Sequence, residues 1–487
     1  MLIDFDALNG FATDPVEVAI VGAGPAGITL ALELASRGIR SLLVEAGGFD
    51  YPDADGLDPY QGDSSPRPYA LNVSRLRYFG GTSGHWGGWV RPLDVADFEV
   101  DQQSGAPAWP IARGEAYRRL DDAHRWLEVP ETHYDGPALA AELDRTALNL
   151  PDDSGFRTQT FRFSPPTRFG ARYRKDIVDS DRIMCLLETS LIAVERAAEG
   201  RSRVRLRHRD GRQSTVSARF HVLAMGGVEN ARSLMWSNRT AERPFGAEGD
   251  WLGRCFADHF GLTAGHLLAS PMLDYNTRGS SEGRVMARHV PEPSRVRSGE
   301  VINHMISLHA VNEQSFLQHG YGRNEAIFGA GSDALKLYAV LIVAGQTPSR
   351  DSRLTLMDET DSNGVARVRL NWHIEEADFL SLLGSFERFG HAVSAAGLGR
   401  MRKTAFYPRK PDEALSAGMH HMGTTRMAPR SGQGVVDTDC RVFDSDDLYL
   451  AGSSVFPAYG YANPTLTIVA LTLRLADHLV GRLEASA

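Results

Sequence analysis

Gly22, Gly24 and Gly27, with Glu45 at the end of the following strand, have the residue types and spacing to hold a nucleotide. In Gly22-Ala-Gly24-Pro-Ala-Gly27 the glycines serve a tight turn, a close approach of backbone to a pyrophosphate and the packing of helix on strand. Pro25 and Ala26 fall in the first turn of the helix, where unpaired N–H groups and the dipole favour an anion. Glu45, followed by Ala46, can accept hydrogen bonds from ribose hydroxyls, and a carboxylate there repels a 2′-phosphate. The chemistry is dinucleotide binding. The motif alone does not separate NAD from FAD.

The elements that must position these residues are legible around them. Glu17 to Val21 reads as a short strand. A helix follows with Ile28, Ala31, Leu32 and Ala35 on one face, then a second strand from Ser41 to Val44. Other segments share this grammar. Arg77 to Asp94 is glycine-rich, so its backbone can pass close to a flat ligand, with Trp86 and Trp89 as apolar walls. Val222 to Met235 reads as strand, Gly-Gly turn and helix start. Leu448 to Leu479 runs from a short strand through Gly452-Ser453-Ser454 and Asn463-Pro464-Thr465 into a long apolar helix. Gly329-Ala-Gly331-Ser-Asp-Ala334 imitates a glycine motif but reads as a loop. One dinucleotide site is therefore expected, where an NAD(P)H-driven flavoprotein would usually need two.

Composition narrows the class. The chain has 487 residues, enough for two or three domains, and 42% hydrophobic residues, the value of a globular protein. The net charge of −9 comes without a dense basic run, which argues against nucleic acid or an anionic membrane as the main partner. No apolar run reaches the ~18 residues of a membrane span, and the N-terminal residues show no secretion signal. The three cysteines (Cys185, Cys255, Cys440) give neither a disulfide framework nor a metal spacing. A cytoplasmic protein is the expectation. Asp437, Asp439, Asp444, Asp446 and Asp447 do not follow a calcium loop and read as turn formers.

Taken together, GAGPAG with Glu45, GGTSGHWGG, AWPI (Ala108 to Ile111), LAMGGVENARSL, LGRCFADH (Leu252 to His259), HMGTTRM and GSSVFPAYGYANPTLT resemble, in order, the glucose-methanol-choline (GMC) oxidoreductase family, with motifs most like those of pyranose oxidase and sugar dehydrogenases. The resemblance implies an α/β fold, α+β overall. A non-contiguous Rossmann-type FAD domain with a parallel sheet would span 1–150, 181–260 and 409–487. A substrate domain with an antiparallel sheet and helices would span 151–180 and 261–408. It would include strands from Arg353 to Met357 and Arg367 to Trp372 around an Asn363-Gly364 turn. Further cofactor contacts are implied at Gly81, Thr82, His85, Trp86, Gly87, Gly88, Ala224, Gly226, Gly452, Ser453, Asn463, Pro464 and Thr465.

The family's catalytic His and Asn match His420 and Asn463. Removing a hydroxyl proton and a hydride from one carbon needs a base, and a neutral imidazole, with its ordinary pKa of ~6.5, can serve near neutral pH. The hydride would pass to flavin N5. His421 is the competing imidazole. His85 is either a covalent attachment point for FAD or a histidine packed beside it. Asp258-His259 reads as a structural pair whose mutual hydrogen bond fixes a turn. Tyr459 and Tyr461 are expected to offer stacking faces and hydroxyls to a sugar. The implied activity is oxidation of a secondary alcohol of a sugar, glycoside or sugar-like natural product, with oxygen, a quinone or a cytochrome as electron acceptor. The alternatives are a non-sugar alcohol or a non-oxidative, lyase- or decarboxylase-like member.

Overall fold

The structure, a computed structural model, describes residues 1–12, 16–99, 108–130, 134, 150–269, 278–280, 283–312, 314, 336–403 and 415–485. The glycine pattern at 329–334 lies outside these residues.

The nucleotide-type segments converge on one five-stranded parallel sheet. Its strands are β1 (Val18–Val21), β2 (Ser41–Val44), β6 (Ile183–Leu186), β10 (Phe220–Leu223) and β20 (Leu448–Leu450), in the order β20-β10-β1-β2-β6. All four pairings are parallel. These strands are short apolar runs because both faces are covered. Helix α1 (Pro25–Ser36) leaves β1 through Gly22, whose φ of +104° suits only glycine. A Cβ on Gly27 would lie 1.8 Å from the Gly22 carbonyl oxygen, so the helix can sit this close to the strand only with glycine there. The long C-terminal helix α5 (Thr465–Glu484) packs on α1 and buries Leu466, Val469, Leu473 and Ala476 in the same core.

A nine-stranded antiparallel sheet stands beside it. The path is β18 (Gly399–Lys403), β11 (His259–Ala269), β15 (Lys336–Gly345), β14 (His304–Ala310), β13 (Gly283–Pro291), β5 (Phe156–Phe163) and β4 (Trp89–Val90). β12 (Arg278–Ser280) pairs with β13, and β19 (Leu415–Ala417) with β11. One face is covered by α4 (Glu376–Ala395), whose Phe379, Leu382, Phe386 and Phe389 pack on Phe260, Ile306, Val340 and Ile342. The other face carries Phe161, Phe163, Met286 and Met305 against Tyr461, from the loop before α5.

The strands expected around Asn363-Gly364 exist, as β16 (Arg353–Thr360) and β17 (Ala366–Asn371), with Gly364 at φ +79° in the turn. They do not join the large antiparallel sheet. β17 instead takes β3 (Gly62–Ser64) as a parallel partner, and the hairpin packs on α3 (Gly226–Asn238). The anchor is a buried ionic cluster. Arg232 on α3 pairs with Asp361 at 2.6 Å and Glu229 at 2.9 Å, and Glu229 pairs with Arg75 at 2.5 Å. A last antiparallel meander, β7 (Thr189–Arg196), β8 (Ser202–His208) and β9 (Gln213–Val216), follows β6 in the chain and packs on α3 through β7 and on β10 through β8. Helix α2 (Phe169–Asp179) packs on α1 and β6.

Candidate active site

The glycine-rich segments around residues 22, 81, 226 and 452 open onto one cavity of about 590 Å³. Gly22, Gly24, Pro25, Ala26, Glu45 and Ala46 line one part of it. Gly81, Thr82, His85, Trp86, Gly87 and Trp89 form a wall, and Ala224, Gly226, Gly452 and Ser453 another. His420, Asn463, Pro464 and Thr465 also line it. Gly27 and Gly88 do not. Gly27 is needed behind the turn, and a Cβ on Gly88 would meet Ser164 and Pro166, so both serve packing.

The cavity fits an extended anionic cofactor with a flat ring. The N-termini of α1 and α5 both reach it, and neither has a side-chain cap, so their first N–H groups remain for a ligand. A Cβ on Gly24 or Gly226 would meet no protein atom within 4 Å, so backbone is bare to the cavity at both points. Trp86 is fixed as a wall by donating from Nε1 to the Thr167 carbonyl at 2.9 Å. Glu45 holds the glycine turn itself. Its oxygens accept from Ala23 N at 2.8 Å and Gly47 N at 2.9 Å. Burial raises its pKa against those donors. Each carboxylate oxygen keeps a lone pair for a ribose hydroxyl.

Two further groups of residues line the cavity and were not expected here. Thr189, Ser190 and Leu191, the first residues of β7, line the cavity beside Glu45, whose carbonyl accepts from Thr189 N at 2.9 Å. Arg75, Glu229, Arg232 and Asp361 of the buried ionic cluster line it too. The Arg75–Glu229 and Arg232–Asp361 pairings join residues far apart in sequence, which no local pattern announces.

His420 and Asn463 meet. Asn463 Nδ2 lies 3.2 Å from His420 Nε2. The other ring nitrogen, His420 Nδ1, lies 2.7 Å from Nδ1 of His259, and His259 Nε2 lies 2.6 Å from the Gly460 carbonyl oxygen. The backbone is pinned as tightly as the ring. Asp258 accepts from His420 N at 2.7 Å, from Met419 N at 2.9 Å and from the Tyr69 hydroxyl at 2.8 Å. Met419 sits at φ +61°, an uncommon region for a side chain with a Cβ, and these bonds hold it there. The Asp258 carboxylate also takes the His259 backbone N–H, but the His259 ring bonds His420 and Gly460 rather than Asp258. Both residues reach across to grip the His420 segment, and only the fold brings them together.

Electrostatics keep the imidazoles neutral. Burial, then the facing His259 and His421 rings, hold His420 well below the ordinary imidazole value. Burial pushes His259 down to about 4, and burial with nearby Arg75 pushes His421 down to about 3. Asp258 is lifted to about 6 by burial, against the pull of its donors. His421 also lines the cavity, but its ring packs against Tyr69 and Phe256, and it is His420 that Asn463 meets.

Tyr459 and Tyr461 are not cavity residues. Both are buried, and both hydroxyls are engaged elsewhere. Tyr459 donates to the Cys255 carbonyl at 2.7 Å. Tyr461 donates to Asp94 at 2.8 Å and accepts from Arg91 at 3.0 Å. What the loop presents towards the site is the Gly460 carbonyl. The C-terminal aspartates behave as turn formers, Asp437 Oδ1 accepting from Asp439 N and Arg441 N. Among the described residues there is no metal-type cluster and no helix long and apolar enough to cross a membrane.

The chain is similar in sequence and in fold to known oxidoreductases. Residues 348–472 match the GMC oxidoreductase C-terminal family model, and residues 15–57 match an FAD binding domain. The C-glycoside 3-oxidase of Arthrobacter globiformis is 25% identical over 90% of this chain and 78% of its own. The 6'''-hydroxyparomomycin C oxidase of Streptomyces lividus is 32% identical, but that match spans only 31% of this chain and 27% of that protein. The crystal structure of a pyridoxine 4-oxidase superposes with a TM-score of 0.55 at 18% identity, covering 95% of this chain and 99% of that one, which is a likeness of fold.

Proposed function

Because the chain is a GMC-type, FAD-binding oxidoreductase, we propose that it oxidises a secondary hydroxyl of a sugar, glycoside or sugar-like natural product to the ketone, with His420 as the base and Asn463 beside it. The observation that carries this reading is the His420–Asn463 pair, 3.2 Å apart, on the wall of the cavity that is also lined by Gly22, Gly24, Pro25 and Ala26. Bound FAD supplies the hydride acceptor. The chain's own residues handle the proton and the geometry. A carbinol carbon gives up hydride readily only as its hydroxyl proton leaves, and a neutral His420 takes that proton. The Asn463 amide hydrogen-bonds the same oxygen and so fixes the direction of the C–H bond. In this reading the parallel sheet carries the cofactor and the nine-stranded sheet walls the substrate end.

The sugar-like substrate rests on the relatives, two of which are named for oxidation of a C-glycoside and of hydroxyparomomycin C. Incubation with a panel of C-glycosides, free sugars and aminoglycosides, followed by mass spectrometry, tests it. The expected product has lost two hydrogens and forms a hydrazone with a carbonyl reagent. Recovery of every panel member unchanged, in the presence of oxygen, a quinone and a cytochrome, would remove the sugar assignment. Acid precipitation reads the state of His85: a bond to FAD keeps colour in the pellet, and packing alone releases it.

A further inference from the structure

We infer that His259 is a positioning residue that dictates which nitrogen of His420 carries the proton. The inference builds on the reading of His420 as the base, and the hydrogen-bond chain gives it content. The Gly460 carbonyl can only accept, and it lies 2.6 Å from His259 Nε2, so that nitrogen carries the hydrogen. A neutral imidazole has one N–H. His259 Nδ1 is therefore a lone pair, and it faces His420 Nδ1 at 2.7 Å. Two nitrogens at that distance need one proton between them, and His420 must supply it. His420 then carries its hydrogen on Nδ1. Its Nε2 is left as the lone pair, directed at the N–H of Asn463 at 3.2 Å. The backbone carbonyl of a glycine thus selects, through two imidazoles, the basic nitrogen at the cavity.

The chain works in one direction only while His259 is neutral. A protonated His259 would present N–H at both nitrogens. His420 would then accept at Nδ1, carry its hydrogen on Nε2, and have no lone pair for a substrate hydroxyl. The surroundings oppose that state. His259 is buried. The nearest carboxylate in sequence, Asp258, has both oxygens committed to the backbone of Met419 and His420 and to Tyr69. The other groups on the ring are the neutral His420 and a carbonyl dipole that fixes Nε2–H.

The test reads the tautomer directly. In holoenzyme labelled with 15N-histidine, the His420 resonances are identified by their loss in His420→Gln. The expected spectrum at neutral pH shows a pyrrole-like Nδ1 and a pyridine-like Nε2 for His420. His259→Phe removes the acceptor, and the two signals should move towards each other or exchange, while flavin reduction by a substrate slows by about 10-fold or more, as a wrong tautomer does in a triad. His259→Asn keeps an acceptor oxygen near the position of Nδ1 and should restore both the tautomer and most of the rate. A pyrrole-like Nε2 in the wild-type enzyme overturns the inference, whether or not any variant folds. So does an unchanged His420 spectrum in His259→Phe. If no sugar reduces the flavin, the substrate assignment fails, and the spectrum still decides this inference.

Discussion

At the scale of the residue, His420 is held by backbone and ring alike, so its removal should be felt in chemistry before stability. His420→Gln is expected to slow substrate-driven flavin reduction by about 10²–10⁴-fold while the protein stays folded and yellow. Stopped-flow absorbance against FAD content checks both halves of that statement. The pH dependence follows from the burial that holds His420 well below the ordinary value of 6.5. The proposed base is then already neutral on both sides of 6.5, so the reduction rate should show no loss as pH falls through that value. An acidic limb centred near 6.5 would mean a solvated imidazole. These residues differ in how far they could be read from sequence. The glycines and Glu45 were legible because a strand–turn–helix must be built locally. The roles of Tyr459, Tyr461 and His259 were not, because their partners (the Cys255 carbonyl, Asp94 with Arg91, and Gly460) come from distant segments.

At the scale of the element, the turn from β1 into α1 separates two jobs that one motif carries. Gly24 faces open cavity, and Gly27 faces the Gly22 carbonyl at a distance no Cβ can accept. Gly24→Ala is therefore expected to fold with a near-normal melting temperature but to lose FAD on gel filtration. Gly27→Ala should lose stability itself, by an amount on the order of 2 kcal/mol or more from overpacking. Equal FAD retention in wild type and Gly24→Ala would place the pyrophosphate elsewhere. The ionic cluster on α3 gives a second element-scale expectation. Glu229→Ala leaves Arg75 and Arg232 buried with less compensation, and should destabilise the protein by about 3–5 kcal/mol in chemical denaturation. The β16–β17 hairpin was legible from its Asn-Gly turn and alternating strands. Its placement was not, since the short polar strand Gly62-Asp63-Ser64 that pairs with β17 carries no strand signal of its own.

At the scale of the whole molecule, the interior is built around neutral histidines. His221, His259 and His304 are pushed down to about 4, and His289 and His421 to about 3, in each case chiefly by burial. A folded pKa below the unfolded value of 6.5 gives stability that is full above 6.5 and is lost as pH falls towards 4. Each such group contributes at most about 3 kcal/mol over that window. Asp258, raised to about 6, and Asp97, raised to about 7, act in the opposite sense, losing stability as pH rises from about 4. The lowered histidines, His420, His124, His309 and His478 among them, outnumber the raised carboxylates, which also include Glu45 and Asp378, so the melting temperature should fall between pH 6.5 and 4. Scanning calorimetry across that range checks it, and a flat or rising profile on acidification would contradict it.

The alcohol-oxidation account meets its most direct test in an anaerobic mixing experiment. Purified yellow protein is mixed with the sugar, glycoside and aminoglycoside panel, and flavin absorbance is followed in wild type and in His420→Gln. The account predicts that at least one sugar-like alcohol bleaches the wild-type flavin rapidly and the variant orders of magnitude more slowly. An unbleached wild-type flavin across the whole panel, or equal bleaching in both proteins, would contradict it.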